Sequence, residues 1–363
     1  MNTDHVCDGE SPTPIFGLPR SQLQPIVERM AGDEAVASFT ISIDHEVEGH
    51  YGYSAEKLIP TISYVTRSGQ RGKETVFVKC FHKPEQGESR HYHRLTGVGA
   101  PIPRWYGAAT TRDGQEVIFL EYLLPVVDFT GMLESADQFR QFLSVTAQFN
   151  AVSPPPEYAA ALPRRDFGRE LAEVHPVLDR IWAHADSGEL GDDLHSLCSA
   201  RADGLGALHD MVARLAQPLA EMEIGFLHND LYPDSVAWRR GTGELLVVDL
   251  ESAGLGPRYY DVARWLGAPD EVQPHSSART LLAEHYLSEY GDWSGRETDT
   301  RQFLEEAGLL WLAGTLTMLF FFLNRSLDGR MDWTDDREEG RSQSQTELHT
   351  QLNALLREAG RPA

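Results

Sequence analysis

The residues whose types and spacing could do chemistry lie between Leu227 and Asp261. Asp230 closely follows the apolar pair Phe226–Leu227 in the run FLHNDLYPDS (226–235), and Asp249 ends the apolar run LLVV (245–248). Two carboxylates at the ends of a short hydrophobic hairpin can project from one edge of it. They suit a division of labour in which one accepts the proton of an attacking hydroxyl and the other holds Mg2+ against transferred phosphates. Asp and Asn are also ordinary turn residues. Turn chemistry accounts for one such cluster, but not for the pair together with Asp261 and a distant strand lysine. Among the 32 basic residues only Lys57, Lys73, Lys79 and Lys83 are lysines. Lys79 sits inside VFVKCF (76–81), an apolar run from which a charge is excluded unless paired. The expected partner is an acid on the helix that follows. Glu88 leads, because it shares a helix face with Tyr92 and Leu95, and Glu85 is its rival.

The elements that must position these residues change character along the chain. Ser38–Ile43, Leu58–Thr66, Thr75–Phe81 and Glu116–Leu123 read as strands, with turn signals at 68–72 and 112–115. One helix, Glu85 to Thr96, is closed by Gly97 and Gly99 and followed by Pro101 and Pro103. Beyond Leu124 the periodicity is helical over Ser135–Val152, Arg165–Asp186, Asp193–Met222, Ser276–Tyr290 and Thr298–Arg325. Gly225–Gly254 interrupts it as loop, strand and loop, with the strand at Glu244–Asp249. The expected architecture is α+β. It comprises a flexible N-terminus (1–20), a small antiparallel β-rich lobe with one helix (21–124) and a larger, mainly helical lobe (125–363).

A chain of 363 residues is long enough for two packed domains. Its 41% hydrophobic and 24% charged content are those of an ordinary globular protein. Met1 to Glu10 is acidic and polar, without the pattern of a secretory signal. Cys7, Cys80 and Cys198 are too few and too scattered for a disulfide framework or a metal cluster, so a reducing, cytoplasmic setting is expected. A net charge of −23 disfavours nucleic acid and anionic membrane and favours cationic partners, although it also serves plain solubility. Gly308 to Asn324 is strongly apolar but short for a span of roughly 20 residues, and it carries Gly314, Thr315 and Thr317. It is expected to be a buried core helix. The charged tail from Ser326 to Gln345 is expected to be partly mobile.

His228, Asp230, Asp249, Gly256 and Tyr260-Asp261-Val262-Ala263 fall in an order and spacing that resembles the aminoglycoside phosphotransferase and choline kinase group, which has the protein-kinase-like fold. The resemblance is close over the catalytic segment and looser from Ala37 to Tyr290. It implies that Asp230 is the catalytic base and that Asp249 ligates Mg2+ on the nucleotide phosphates. It further implies that Lys79, paired with Glu88, grips the α- and β-phosphates, and that His228 and Asp261 brace the catalytic loop. The run ending at Leu123 would be the hinge, with backbone groups near Glu121 and Leu123 meeting a purine edge. Where the group has an Asn as second metal ligand this chain has Ser235, with Asp234 and Glu251 as possible compensations. His50–Glu56 stands in the place of a glycine-rich phosphate loop with a single glycine.

The implied function is transfer of the γ-phosphoryl group of ATP or GTP to a hydroxyl of a small, cationic metabolite or antibiotic, with neither nucleic acid nor membrane as partner. The stretch Pro154 to Met222 and the final helices with Trp311, Trp333, Asp335 and Asp336 would shape the acceptor pocket, or simply present solvated acids. Ser235 keeps open a catalytically silent nucleotide- or metabolite-binding protein. A third reading is an enzyme of the same fold that activates a substrate within a biosynthetic pathway.

Overall fold

The structure is a computed structural model that describes residues 12–46, 55–83, 87–201, 203–270, 275–329 and 337–360. The chain divides into two compact units. The first comprises Met1–Met132, Pro154–Tyr158 and Asp230–Ala253, and the second Leu133–Ser153, Ala159–Asn229 and Gly254–Ala363.

In the first unit, helix α1 (Arg20–Met30) precedes strands β1 (Val36–Glu46), β2 (Ala55–Thr66) and β3 (Arg71–Phe81). Helix α2 (Ser89–Leu95) comes next, and then strands β4 (Trp105–Thr110) and β5 (Glu116–Glu121). The five strands form an antiparallel sheet in the order β1-β2-β3-β5-β4. Successive strand residues point to opposite faces, and this sorts the unit. Val76, Val78, Cys80, Val117 and Phe119 turn to the face covered by Leu23, Ile26, Val27 and Met30 of α1, and together they form one core. The alternate residues, Lys79 among them, turn to the other face. Lys79 stands opposite Ile118 on β5 and Lys57 on β2. A smaller three-stranded sheet joins Leu124–Pro125 to the hairpin Val236–Trp238/Leu245–Val247. It is tied to the loop before β4 by the Val247 amide, which donates to the Pro101 carbonyl at 2.7 Å. Gly241 (φ +85°) and Gly243 (φ +68°) supply the left-handed backbone that the hairpin turn requires.

The second unit is helical, apart from the short antiparallel pair Ile224–Leu227/Gly254–Pro257. Its centre is the helix Thr300–Asp328, capped by Asp299, whose carboxylate accepts from the Gln302 amide at 3.0 Å, and ended by Gly329 in the left-handed conformation. By length and composition this helix would suffice to cross a membrane. Within the unit it buries Phe303, Ala307, Leu310, Leu316, Leu319 and Leu323 against the helices Val174–Asp186, Gly204–Glu221, Tyr260–Leu266 and Arg337–Ala359.

Several elements depart from the sequence expectation. Ile15 and Leu18, in the stretch expected to be loose, are buried in the α1 core. The helix expected from Glu85 begins only at Ser89, with Glu88 as the residue before its first turn. The helices expected at 165–186 and 193–222 are each two, broken at Glu173 and around Arg201. Part of the charged tail belongs to the helix Arg337–Ala359, which buries Leu348, Leu352 and Leu355. Most of His50–Glu56, together with Glu85, Trp333, Asp335 and Asp336, lies outside the described residues.

Gly267 closes the helix Tyr260–Leu266 where it crosses the central helix, and a Cβ there would lie 2.0 Å from the Ala307 carbonyl oxygen. Because the obstacle is backbone, the crossing has no flexible side chain to yield. Gly267→Ala is therefore expected to destabilise the protein by about 1–3 kcal/mol in urea denaturation, the usual cost of overpacking.

Candidate active site

Lys79 reaches the α2 side of the sheet as a buried cation, only 4% exposed. Its ammonium is paired with the Glu88 carboxylate and donates to Asp249 Oδ1 at 2.7 Å. Glu88 is 1% exposed and also accepts the Leu250 amide at 3.0 Å. One buried carboxylate thus fastens β3 and the turn after the hairpin to the start of α2. Burial acts on the lysine most strongly, favouring loss of its proton, but the Glu88 and Asp249 carboxylates together outweigh burial and hold the ammonium above its ordinary value. The Glu88 carboxyl is pushed up to about 7 by burial, with the Lys79 ammonium opposing and Asp249 reinforcing.

Asp249 differs from Glu88 in its access to solvent. Its side chain is 46% exposed, and its backbone is left-handed (φ +63°), a conformation Asp tolerates better than most residues. The left-handed residue ends the strand Leu245–Val247 abruptly and turns the chain into the short 3-10 segment Leu250–Ser252, which contains Glu251. Ligand oxygens of Glu88, Asp249 and Glu251 lie within 4.8 Å of one another. Carboxylate oxygens are the hard donors that Mg2+ takes, so these residues fit that ion in kind.

Asp230 is exposed at the start of the loop that leads into the hairpin. Its carbonyl accepts the Ser235 hydroxyl at 2.8 Å, and the Ser235 amide donates to the Tyr232 carbonyl at 2.9 Å. Ser235, expected as a second metal ligand, is 6% exposed and so placed fastens this loop. Its carbonyl accepts the Val248 amide at 2.9 Å, which sets it beside the strand that ends in Asp249. Glu251, named from the sequence as a compensation for Ser235, is the carboxylate whose oxygen joins those of Asp249 and Glu88.

The bracing of the preceding residues is built inside the second unit. The buried Asp261 carboxylate accepts the amides of His228 and Asn229, each at 2.8 Å, and the side-chain amide of Asn150 at 2.7 Å. Asn150 in turn accepts the Tyr286 hydroxyl at 3.2 Å. The His228 ring is fully buried and packs edge-on against Phe149, with centroids 5.8 Å apart. Asn150 and Tyr286 were not singled out from the sequence. At the expected hinge, the Glu121 amide donates to the Arg104 carbonyl at 2.9 Å and its carboxylate binds Arg239, while Leu123 packs with Ala237 and Leu246.

Residues 64–304 match the family described as the phosphotransferase enzyme family. Among solved structures, the chain is similar to choline kinase from Cryptosporidium parvum, at 12% identity and a TM-score of 0.52 over 88% of this chain and 90% of that one. It is similar to the ethanolamine kinase of Plasmodium vivax, at 12% identity and a TM-score of 0.50 over 89% and 84% of the two chains. It also resembles an aminoglycoside phosphotransferase in its GDP and kanamycin complex, at 14% identity and a TM-score of 0.51 over 91% and 97%. At such identities these likenesses speak for the fold, which is the kinase-like α+β fold. No curated protein matches the chain.

Breaking the buried pair from one side gives a test with a defined sign. In Lys79→Met the Glu88 carboxylate keeps its burial and loses its cation, so its folded-state affinity for a proton rises further above the ordinary value of 4.5. The folded protein then binds a proton that the unfolded chain releases, and stability falls as the pH climbs above that ordinary value. The variant is expected to lose about 3–5 kcal/mol near pH 8, the usual cost of orphaning a buried charge, and clearly less near pH 5.5. Urea denaturation at the two pH values measures this. An equal deficit at both would show that Glu88 is not the charge left behind.

Proposed function

The chain belongs to the phosphotransferase enzyme family, and from that membership we propose that it transfers the γ-phosphoryl group of ATP or GTP to a hydroxyl of a small, cationic acceptor. The observation that carries the proposal is the buried Lys79 ammonium, held between a sequestered carboxylate, Glu88, and a solvent-accessible one, Asp249. One buried carboxylate suffices to pair a buried ammonium, so the second, half-exposed one is more than pairing alone requires. A pair built to meet phosphate needs a fixed cation with an anion beside it that can take a divalent ion.

In this reading Lys79 binds phosphate oxygens of the nucleotide, and Glu88 keeps the ammonium extended and charged. Asp249, with Glu251 next to it, would hold Mg2+, which when bound neutralises the phosphate oxygens that accumulate charge during transfer. Asp230 accepts the proton of the acceptor hydroxyl as that oxygen bonds to the γ-phosphorus and the bond to the β-bridging oxygen breaks, releasing the nucleoside diphosphate. The Ser235 hydroxyl and the Asp261 carboxylate hold the backbone on either side of that carboxylate in place. Support for a cationic acceptor comes from the net charge of −23 and from the cationic compounds that the similar kinases are named for.

Two substitutions test the assignment. Asp230→Asn is expected to lower nucleotide-dependent phosphorylation of hydroxylated amines by a factor of about 10²–10⁴, while circular dichroism and nucleotide affinity stay as in the wild type. Turnover close to wild type would remove Asp230 from the role of base. Asp249→Ala is expected to abolish the magnesium dependence of nucleotide binding in calorimetric titration. A wild-type protein that binds nucleotide but phosphorylates no acceptor in a broad panel would be the catalytically silent binder that Ser235 brings into question.

A further inference from the structure

Lys57 stands directly across from Lys79 in the β2–β3 register. Residues opposed in this way on antiparallel strands project from the same face, with Cβ atoms about 4.5–5.5 Å apart. Their neighbours Leu58 and Val78 pack into the α1 core, so both lysines emerge on the opposite face, the one that carries Glu88 and Asp249. The environments of the two lysines differ. Lys79 is buried, whereas Lys57 is half-buried. Burial and then the Lys79 charge press the Lys57 ammonium below its ordinary value, while Asp249, Glu88 and Glu251 pull it back up. Lys57 therefore lies in the field of the same three carboxylates that fit Mg2+.

Like charges directly opposed across a sheet weaken strand pairing, and a neutral residue at 57 would avoid that cost. A sequence that uses lysine at so few positions has nevertheless placed two of them face to face at this site.

We infer that Lys57 is a second phosphate-binding residue, which contacts the terminal phosphates of the nucleoside triphosphate alongside Lys79. The inference rests on the nucleotide-binding reading given above. The three carboxylates offset part of the repulsion between the two lysines, and with a divalent cation on those carboxylates both ammonium groups would be left to meet the phosphates.

The test is calorimetric titration of the full chain with a magnesium complex of a non-hydrolysable ATP or GTP analogue, with the matching diphosphate and with the nucleoside. Lys57→Met is expected to weaken triphosphate binding by roughly tenfold to a hundredfold, the range of a lost charge-assisted hydrogen bond. Diphosphate binding should weaken less and nucleoside binding should not change. Lys57→Arg should recover most of the loss, and Lys73→Met, at an exposed position on β3, should bind as the wild type does. Circular dichroism and a cooperative thermal melt of Lys57→Met, compared with the wild type, separate a loss of binding from unfolding. Wild-type affinity in Lys57→Met would overturn the inference and leave a solvated strand lysine. Failure of the wild type itself to bind either nucleotide would overturn the reading beneath it.

Discussion

An ammonium group stays charged inside a protein only if anions are buried or brought close with it, and much of the first unit is arranged to meet that demand for Lys79. The lysine must lie on an inner strand, so β3 has partners on both sides, and the opposite face of the sheet is sealed by α1. Glu88 must arrive from α2 with its own second oxygen satisfied, and the Leu250 amide does that. That amide is in place only because the chain turns sharply at Asp249. The same turn sets the Asp249 carboxylate against the ammonium at 2.7 Å. Strand, helix start and hairpin therefore share one electrostatic requirement.

Asp261 sets a second constraint of a different kind. It is a buried carboxylate that accepts from two backbone amides and the Asn150 side chain. Such a network is costly if any member is missing and rigid when all are present. Hydrogen bonds to backbone fix the path of the chain regardless of the side chains along it. The backbone that enters Asp230 is thus set by a helix at 136–150 and by Tyr286 on another, both remote in sequence from the loop.

What the sequence made legible follows from which signals are local. Lys79 stood out because a charge interrupts an apolar run, and Asp230 and Asp249 because carboxylates flank a short hydrophobic hairpin. Glu88 was reachable by helix-face spacing even though it sits just ahead of the helix. Lys57 needed the β2–β3 register, and Asn150 and Tyr286 needed tertiary packing, neither of which is carried by spacing along the chain. Two elements were hidden by their own residues. Pro25 makes α1 read as a break, and β4 is the weakly strand-forming WYGAAT, with a register shift at Gly107 (φ +145°). The engagement of Ser235 with the Asp230 carbonyl was likewise invisible, since a hydroxyl that braces and a hydroxyl that ligates are the same residue in a sequence.

The division of the chain into units has a consequence for its divisibility. The polypeptide passes from one unit to the other at 132/133, 153/154, 158/159, 229/230 and 253/254, so no single cut yields either unit whole. A fragment ending at Met132 would contain the sheet, α1, α2, Lys79 and Glu88. It would lack Asp249 and the Leu250 amide, and so the partners that make the buried pair tolerable. The excursion 230–253 leaves and re-enters the second unit close to the paired residues Leu227 and Gly254, so its two ends are held together like the neck of a noose. Domain swapping, split-protein complementation and limited proteolysis thus all meet the same interlaced topology: Lys79, Glu88 and Asp249 are contributed by stretches of chain that cannot be parted without leaving a charge stranded.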